Sequence, residues 1–250
     1  VVLTGGATVG PLGVHGSEGS EAYLSPGPPP DPGRIAFQTA DHLDLARARR
    51  LDRAGRFATT AMQRALADAS RSSPAVTSPE RTGAIMGASF GNVDASTEYL
   101  KRIHLKGAKY ASPADFPNLL PSSPVGHASI YLGLRGASFA VSDLNVTAES
   151  AITTAIELVA AGEADVLAAG SVEETSPMIE RCLGPVCEGI VDRGPRSEGA
   201  AIAVVEAAEV ARSRGARVLA RVVHWTSWRD PAVSPLAEVP PPGEGAWILT

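Results

Sequence analysis

The chain has 250 residues, 44% of them apolar, and 22 basic against 27 acidic residues for a net charge of −5. That composition can bury a sizeable core in one domain, and it excludes collagen-like, disordered and disulfide-scaffold classes. With no long run of either sign, nucleic acid and anionic membrane surfaces are poor candidates for a partner, which leaves proteins and neutral small molecules.

In chain order, residues 1–4 are β-branched and apolar and predict a strand that breaks at Gly5-Gly6, with a turn at Gly10-Pro11-Leu12-Gly13. Residues 25–33 hold five prolines and read as a surface loop, because proline fixes φ and lacks a backbone donor. From 43 to 70, apolar residues at steps of three and four predict one amphipathic helix. A buried strand is expected over 81–89, a helix over 94–104, and a loop carrying Pro113, Pro117, Pro121 and Pro124.

Then follow a short strand over 137–142, a helix over 146–161, strands over 165–172 and 199–206, a helix around 210–214 and a last strand over 217–225. The two final strands are expected to form an antiparallel pair. Strands alternating with helices predict an α/β fold, a mainly parallel five-stranded sheet covered on both faces. Residues 229–250, with Pro231, Pro235 and Pro240-Pro241-Pro242, read as an extended tail, so the domain is placed at 1–228; within the tail only 246–249 has the character of a strand.

Neither cofactor nor metal is expected. Cys182 and Cys187 have a C-x4-C spacing that fits neither a zinc knuckle nor a redox pair, and both read as ordinary core or loop thiols. No stretch approaches the roughly 18 apolar residues of a membrane span, and the first residues lack the basic region of a signal peptide, so a cytoplasmic location is expected.

Chemistry concentrates at residues 137–148, Ala-Ser-Phe-Ala-Val-Ser-Asp-Leu-Asn-Val-Thr-Ala, where a strand turns sharply into a helix. Free N–H groups and the positive end of the helix dipole at such a junction stabilise a thiolate or a developing oxyanion. The segment resembles the nucleophile region of the β-ketoacyl synthases, roughly V-S-T-A-C-S/A-S-G, and the resemblance puts Asn145 at the cysteine position. Other stretches agree in order: Arg49-Arg50-Leu51-Asp52-Arg53 is similar to the family's R-R-M-D-R, Phe116 to Pro121 and Leu132 to Gly136 resemble the lead into the nucleophile strand, Ala161 to Gly170 resembles R-A-G-E-A-D-V-A-L-A-G, and Ser197 to Ala201 resembles G-E-G-A-G. The resemblance covers residues 1 to about 226 and implies one half of the thiolase fold.

What it implies for catalysis is a degenerate site. The Asn145 carboxamide has no ionisable proton and cannot carry an acyl chain. Asp143, where the family usually has threonine, puts a negative charge two residues from that position. The family's catalytic histidines and Gly-Phe-Gly-Gly gate lie in its second half, and His15, His42, His104, His127 and His224 are each expected to be exposed or packed. Glu198 corresponds to a glutamate that helps organise the family's active site; a cap or salt bridge at the strand start is expected here. Asparagine is also a good helix N-cap, a role compatible with a lost nucleophile.

The resemblance therefore implies a non-catalytic ketosynthase-like subunit of fatty-acid or polyketide biosynthesis, similar in role to a chain-length factor. Two other readings stand beside it: a malonyl-thioester decarboxylase using Asn145 and helix N-terminal N–H groups, and an acyl-ligand-binding scaffold. Helix 146–161 carries apolar residues around much of its circumference, so without a second half it needs a covering partner. The expected partners are a second copy or a full-length ketosynthase, with an acyl carrier protein as a further candidate. In the family the strand matching Ala137, Ser138, Phe139, Ala140, Val141 and Ser142 pairs across the subunit dyad, and that contact carries over to these residues.

Overall fold

The computed structural model describes residues 1–19, 33–71, 73, 78–143, 146–187 and 197–225. Its elements are β1 (Val2–Gly10), β2 (Gly13–Gly16), α1 (Leu45–Ala48), α2 (Arg53–Ala69), β3 (Thr82–Gly87), α3 (Val93–Lys106), α4 (Ser123–Leu132), β4 (Ser138–Val141), α5 (Thr147–Ala160), β5 (Val166–Glu173), α6 (Pro177–Cys187), β6 (Gly199–Glu206), α7 (Ala208–Ser213) and β7 (Ala220–Arg221). The strand order is β2-β1-β6-β5-β3-β4, with β7 added on β1.

The period-two alternation of strand side chains divides the core into two layers. Ala84, Met86, Val166, Ala168 and Val204 face Phe57, Ala58 and Met62 of α2 and Val125 and Ala128 of α4. Their neighbours Ile85, Leu167, Ala169 and Val205 face Ala151, Ala155, Ile156 and Val159 of α5. Helices therefore cover both faces of the sheet, and the α/β class holds. The parallel part is the core triplet β5-β3-β4. Beyond it, β6 runs antiparallel to β5 and β1, and β1 runs antiparallel to β2 and β7, giving seven strands rather than the five expected. The short turn after Gly10 permits only an antiparallel return, since a parallel one needs a crossover of a dozen residues or more.

Most expected elements lie within a residue or two of their predicted bounds, and β6 coincides with its own. Four expectations are corrected. Residues 43–70 form two helices, because Asp44 accepts from Arg47 N at 2.9 Å and Asp52 accepts from Gly55 N at 2.7 Å, each starting a helix inside the apolar periodicity. Strand β1 runs on through Gly5-Gly6 to Gly10, with a register shift between Leu3 and Gly5. Gly5 is there for closeness: a Cβ would lie 2.5 Å from Ala65 O and 2.8 Å from Ala69 Cβ of α2. Pro124 does not extend the loop but sits in the first turn of α4, where its missing N–H costs nothing. The last strand shrinks to β7, which pairs with β1 (Val2↔Arg221, Leu3↔Ala220) and not with β6.

Helix α5 is buried along one side, at Thr147, Ala151, Ala155, Ile156 and Val159, while Ile152 and Leu158 are half-buried. Cys182 is exposed on α6, neither a core nor a loop thiol. The tail 229–250 and most of the 25–33 loop lie outside the described residues. Among the described residues, no helix is long and apolar enough to cross a membrane.

Candidate functional site

Because β3, β4 and β5 are parallel, their C-terminal ends meet at one edge of the sheet, where ligands of open α/β sheets bind. There the chain turns from β4 into α5. The first turn of α5 rests on Gly87 at the end of β3: a Cβ on Gly87 would stand 2.4 Å from Thr147 Cγ2 and 2.7 Å from Thr147 O. Thr147, 3% exposed, holds the turn from inside. Its Oγ1 accepts from Asp143 N at 3.0 Å and from Ser89 Oγ at 3.0 Å. Asp143 O accepts from Val146 N at 3.1 Å, and Ser142 Oγ donates to Ser89 O at 3.4 Å.

The Asp143 side chain folds back on the helix start and accepts from Ser150 Oγ at 2.7 Å. A carboxylate placed there satisfies the positive end of the helix dipole, so the turn already holds the negative charge that a thiolate would otherwise supply. Asn145 and Leu144 lie outside the described residues, between Asp143 and the 46% exposed Val146.

Glu198, 2% exposed, belongs to a second cluster. It makes the salt bridge expected at the strand start, and the partner is Arg53 of the Arg49 to Arg53 motif. Arg53 Nε donates to both carboxylate oxygens at 3.1 and 2.9 Å, and its Nη2 donates to Ile35 O at 2.6 Å. Glu198 also accepts from Ile35 N at 2.6 Å and from Thr175 Oγ1 at 3.4 Å. Burial works to raise the Glu198 carboxyl, but the Arg53 hydrogen bonds and the Ile35 N–H outweigh it, so its pKa lies below the usual carboxylate value.

The end of β5 connects the two clusters. The Glu173 carboxylate accepts from Ser89 N and from Phe90 N, fixing the loop that reaches Thr147, while Thr175, two residues on, reaches Glu198. Between them Glu174 lines a narrow cleft, with room for about one water (about 10 Å³), together with Asp52, Asn92, Glu173 and Pro124. Burial, and then the negative charges of Asp52 and Glu198, push the Glu174 carboxyl up to about 7. Arg53, Ser89, Thr147, Glu173 and Glu174 were not singled out as site residues from the sequence. The available signal was the pair of acids just past a buried strand, where polar groups of a parallel sheet collect.

The histidines belong elsewhere in the fold. His15 on β2 bonds Leu12 O through Nε2 at 2.7 Å, His42 stacks on Phe37 at 5.2 Å, His104 and His224 are exposed, and His127 of α4 lies beside Gly55 of α2. No group of acids, histidines and cysteines suited to a metal occurs among the described residues. The six residues 137–142 lie on or beside β4, the outer strand of the sheet, bonded on its β3 side, with Ser138, Phe139 and Ser142 exposed.

Comparison with known proteins agrees with this fold. The chain is 30% identical over 211 residues to 3-oxoacyl-[acyl-carrier-protein] synthase 2 of Staphylococcus aureus, covering 78% of this chain and 52% of that protein. Nodulation protein E of Rhizobium sp. (strain N33) is 31% identical over 156 residues, 57% of this chain and 38% of that one. The chain thus spans about half the length of the first of these relatives, and less of the second. Among solved structures, a ketosynthase in complex with its type II polyketide acyl-carrier protein has a TM-score of 0.71 at 24% identity, covering 87% of this chain and 65% of that one. A ketosynthase with its chain length factor from Xenorhabdus doucetiae has a TM-score of 0.60 at 18% identity, covering 82% and 79%, and these two structures share the fold. The family model of the β-ketoacyl synthase N-terminal domain matches residues 36–185, from within the strap formed by residues 33–38 ahead of α1, through β5 and into α6, and the chain belongs to that family.

Proposed function

We propose that the chain is a non-catalytic ketosynthase-like subunit of fatty-acid or polyketide biosynthesis that pairs with an active ketosynthase and stabilises or shapes it. One observation supports this reading: the turn that leads to Asn145, the residue the resemblance puts at the nucleophile position, holds the Asp143 carboxylate against Ser150. A carboxamide forms no acyl-enzyme, and a fixed negative charge disfavours a nearby anion.

Two solved structures of this fold pair a ketosynthase with a chain length factor, which supports the role of a partner. Among the described residues β4 is an edge strand, and with its exposed Phe139 it offers a strand edge and an apolar side chain for the contact. An acyl-carrier protein stands beside a ketosynthase in another, which supports a carrier protein as a further partner.

The test is co-expression with a catalytically complete ketosynthase of the same organism, followed by incubation with acyl and malonyl carrier proteins and intact-mass analysis. The expected result is a complex in which the acyl adduct sits on the ketosynthase alone. An acyl adduct on this chain, or turnover of malonyl carrier protein by this chain by itself, overturns the reading.

A further inference from the structure

Between β2 and the end of α2 lies a second cleft, of about 160 Å³, lined by Gly16, Arg64, Ala67, Asp68 and Arg71. Arg64 of α2 and Arg71 just past its end are both in the lining, with the small, exposed Ala67 between them in the chain. The Asp68 side chain is 2% exposed and anchors the wall. It accepts from Gly6 N of β1 at 3.1 Å and pairs with Arg71 at 2.9 Å and with Arg217, ahead of β7, at 3.5 Å.

The same two arginines hold a second carboxylate. Glu18, just past β2, pairs with Arg71 through one oxygen and with Arg217 through the other at 3.3 Å, and its side chain is 62% exposed. An exposed ion pair is weak, so cations sharing a solvent-facing carboxylate exchange it for a stronger oxyanion; a phosphate brings up to two charges and three acceptor oxygens. Donors remain for such a group. Arg64 makes no hydrogen bond or ion pair among the described residues, and Arg217 Nε is buried without an acceptor. Space is kept by Gly16, where a Cβ would stand 3.5 Å from Asp68 Oδ1 and 3.6 Å from Arg71 Nη2, so that a larger side chain would fill the cleft from the β2 side.

We propose that this cleft binds a phosphate dianion and that Glu18 is the internal carboxylate it displaces. Arg64 supplies the cation that Glu18 does not engage, and Arg71 exchanges Glu18 for the phosphate while keeping Asp68, which continues to orient it. Because the chain carries a net charge of −5, general attraction of anions is disfavoured and binding rests on this local arrangement. The site lies away from the turn before α5 and is independent of the partner role proposed above.

The test is calorimetric titration of the full chain with inorganic phosphate and, separately, with glycerol 3-phosphate, slightly above neutral pH and at an ionic strength held constant with sodium chloride. The parent is compared with Arg64→Ala, Glu18→Gln and Gly16→Val. Saturable one-to-one binding is expected in the parent, weaker by about tenfold or more in Arg64→Ala and tighter by about threefold or more in Glu18→Gln, whose competing charge is gone. Gly16→Val keeps every charge and is expected to lose binding because its side chain occupies the cleft. The probe that binds the parent more tightly identifies the free anion or its ester as the ligand. Absence of saturable binding in the parent, equal affinity in the parent, Arg64→Ala and Gly16→Val, or an affinity unchanged by Glu18→Gln overturns the proposal.

Discussion

At the residue scale, Arg53 and Glu198 tie the strap, α2, the end of β5 and the start of β6 through one ion pair whose carboxylate side chain is 1% exposed. Removing one member of such a pair leaves the other charge unpaired, so Glu198→Ala is expected to cost about 3–5 kcal/mol in urea unfolding. Arg71–Glu18, an exposed pair screened by solvent, is expected to contribute far less by the same measurement. Glu198 also sets the acid limb of stability. Its folded pKa is depressed, so its contribution is present above the ordinary carboxylate pKa of 4.5 and lost as pH falls through the folded value. Glu198→Gln should therefore be less stable than the parent at pH 6 and approach it as pH falls below the ordinary carboxylate value, which acid titration followed by circular dichroism reads directly. Asp143 has its own test. If its charge opposes an anion at the helix start, Asn145→Cys should react with iodoacetamide roughly threefold or more slowly than Asn145→Cys combined with Asp143→Asn, because the thiolate is the reacting species.

At the element scale, glycines and caps decide where helices lie. Gly87→Ala would drive a Cβ into Thr147, so α5 must retreat from β3; an overpacking cost of about 1–3 kcal/mol is expected as a lowered Tm. Asp52→Ala removes the N-cap of α2 and is expected to cost about 1 kcal/mol. Apolar periodicity made β3, α5, β5 and β6 legible because each buries one face, or both, over a run long enough to show its period. It failed over 43–70, where the apolar spacing continues through Leu51 although the backbone leaves the helix. Leu51 is buried in a satellite cluster with Leu43, Ala48 and Tyr131 rather than along the side of one helix. Glycine misled in β1 for a related reason: Gly5 marks close packing against α2, and a single sequence does not tell that apart from a turn.

At the scale of the whole molecule, β4 is the outer strand among the described residues, with its side away from β3 and the 40% exposed Phe139 facing outward. Phe139→Asp is expected to weaken association with a ketosynthase partner, read by light scattering after size exclusion, while leaving the chain's own unfolding curve nearly unchanged. The sequence by itself determined the α/β class, the strand-to-helix turn and the family, because local periodicity and ordered motifs are properties of neighbouring residues. The seven-stranded mixed order and the pairing of β7 with β1 were decided only by tertiary structure, since register depends on which faces are buried together. So was the meeting of the neighbours Asp52 and Arg53 with Glu174 and Glu198: the three places lie far apart along the chain, and only the antiparallel pairing of the end of β5 with the start of β6, packed against the start of α2, brings them together.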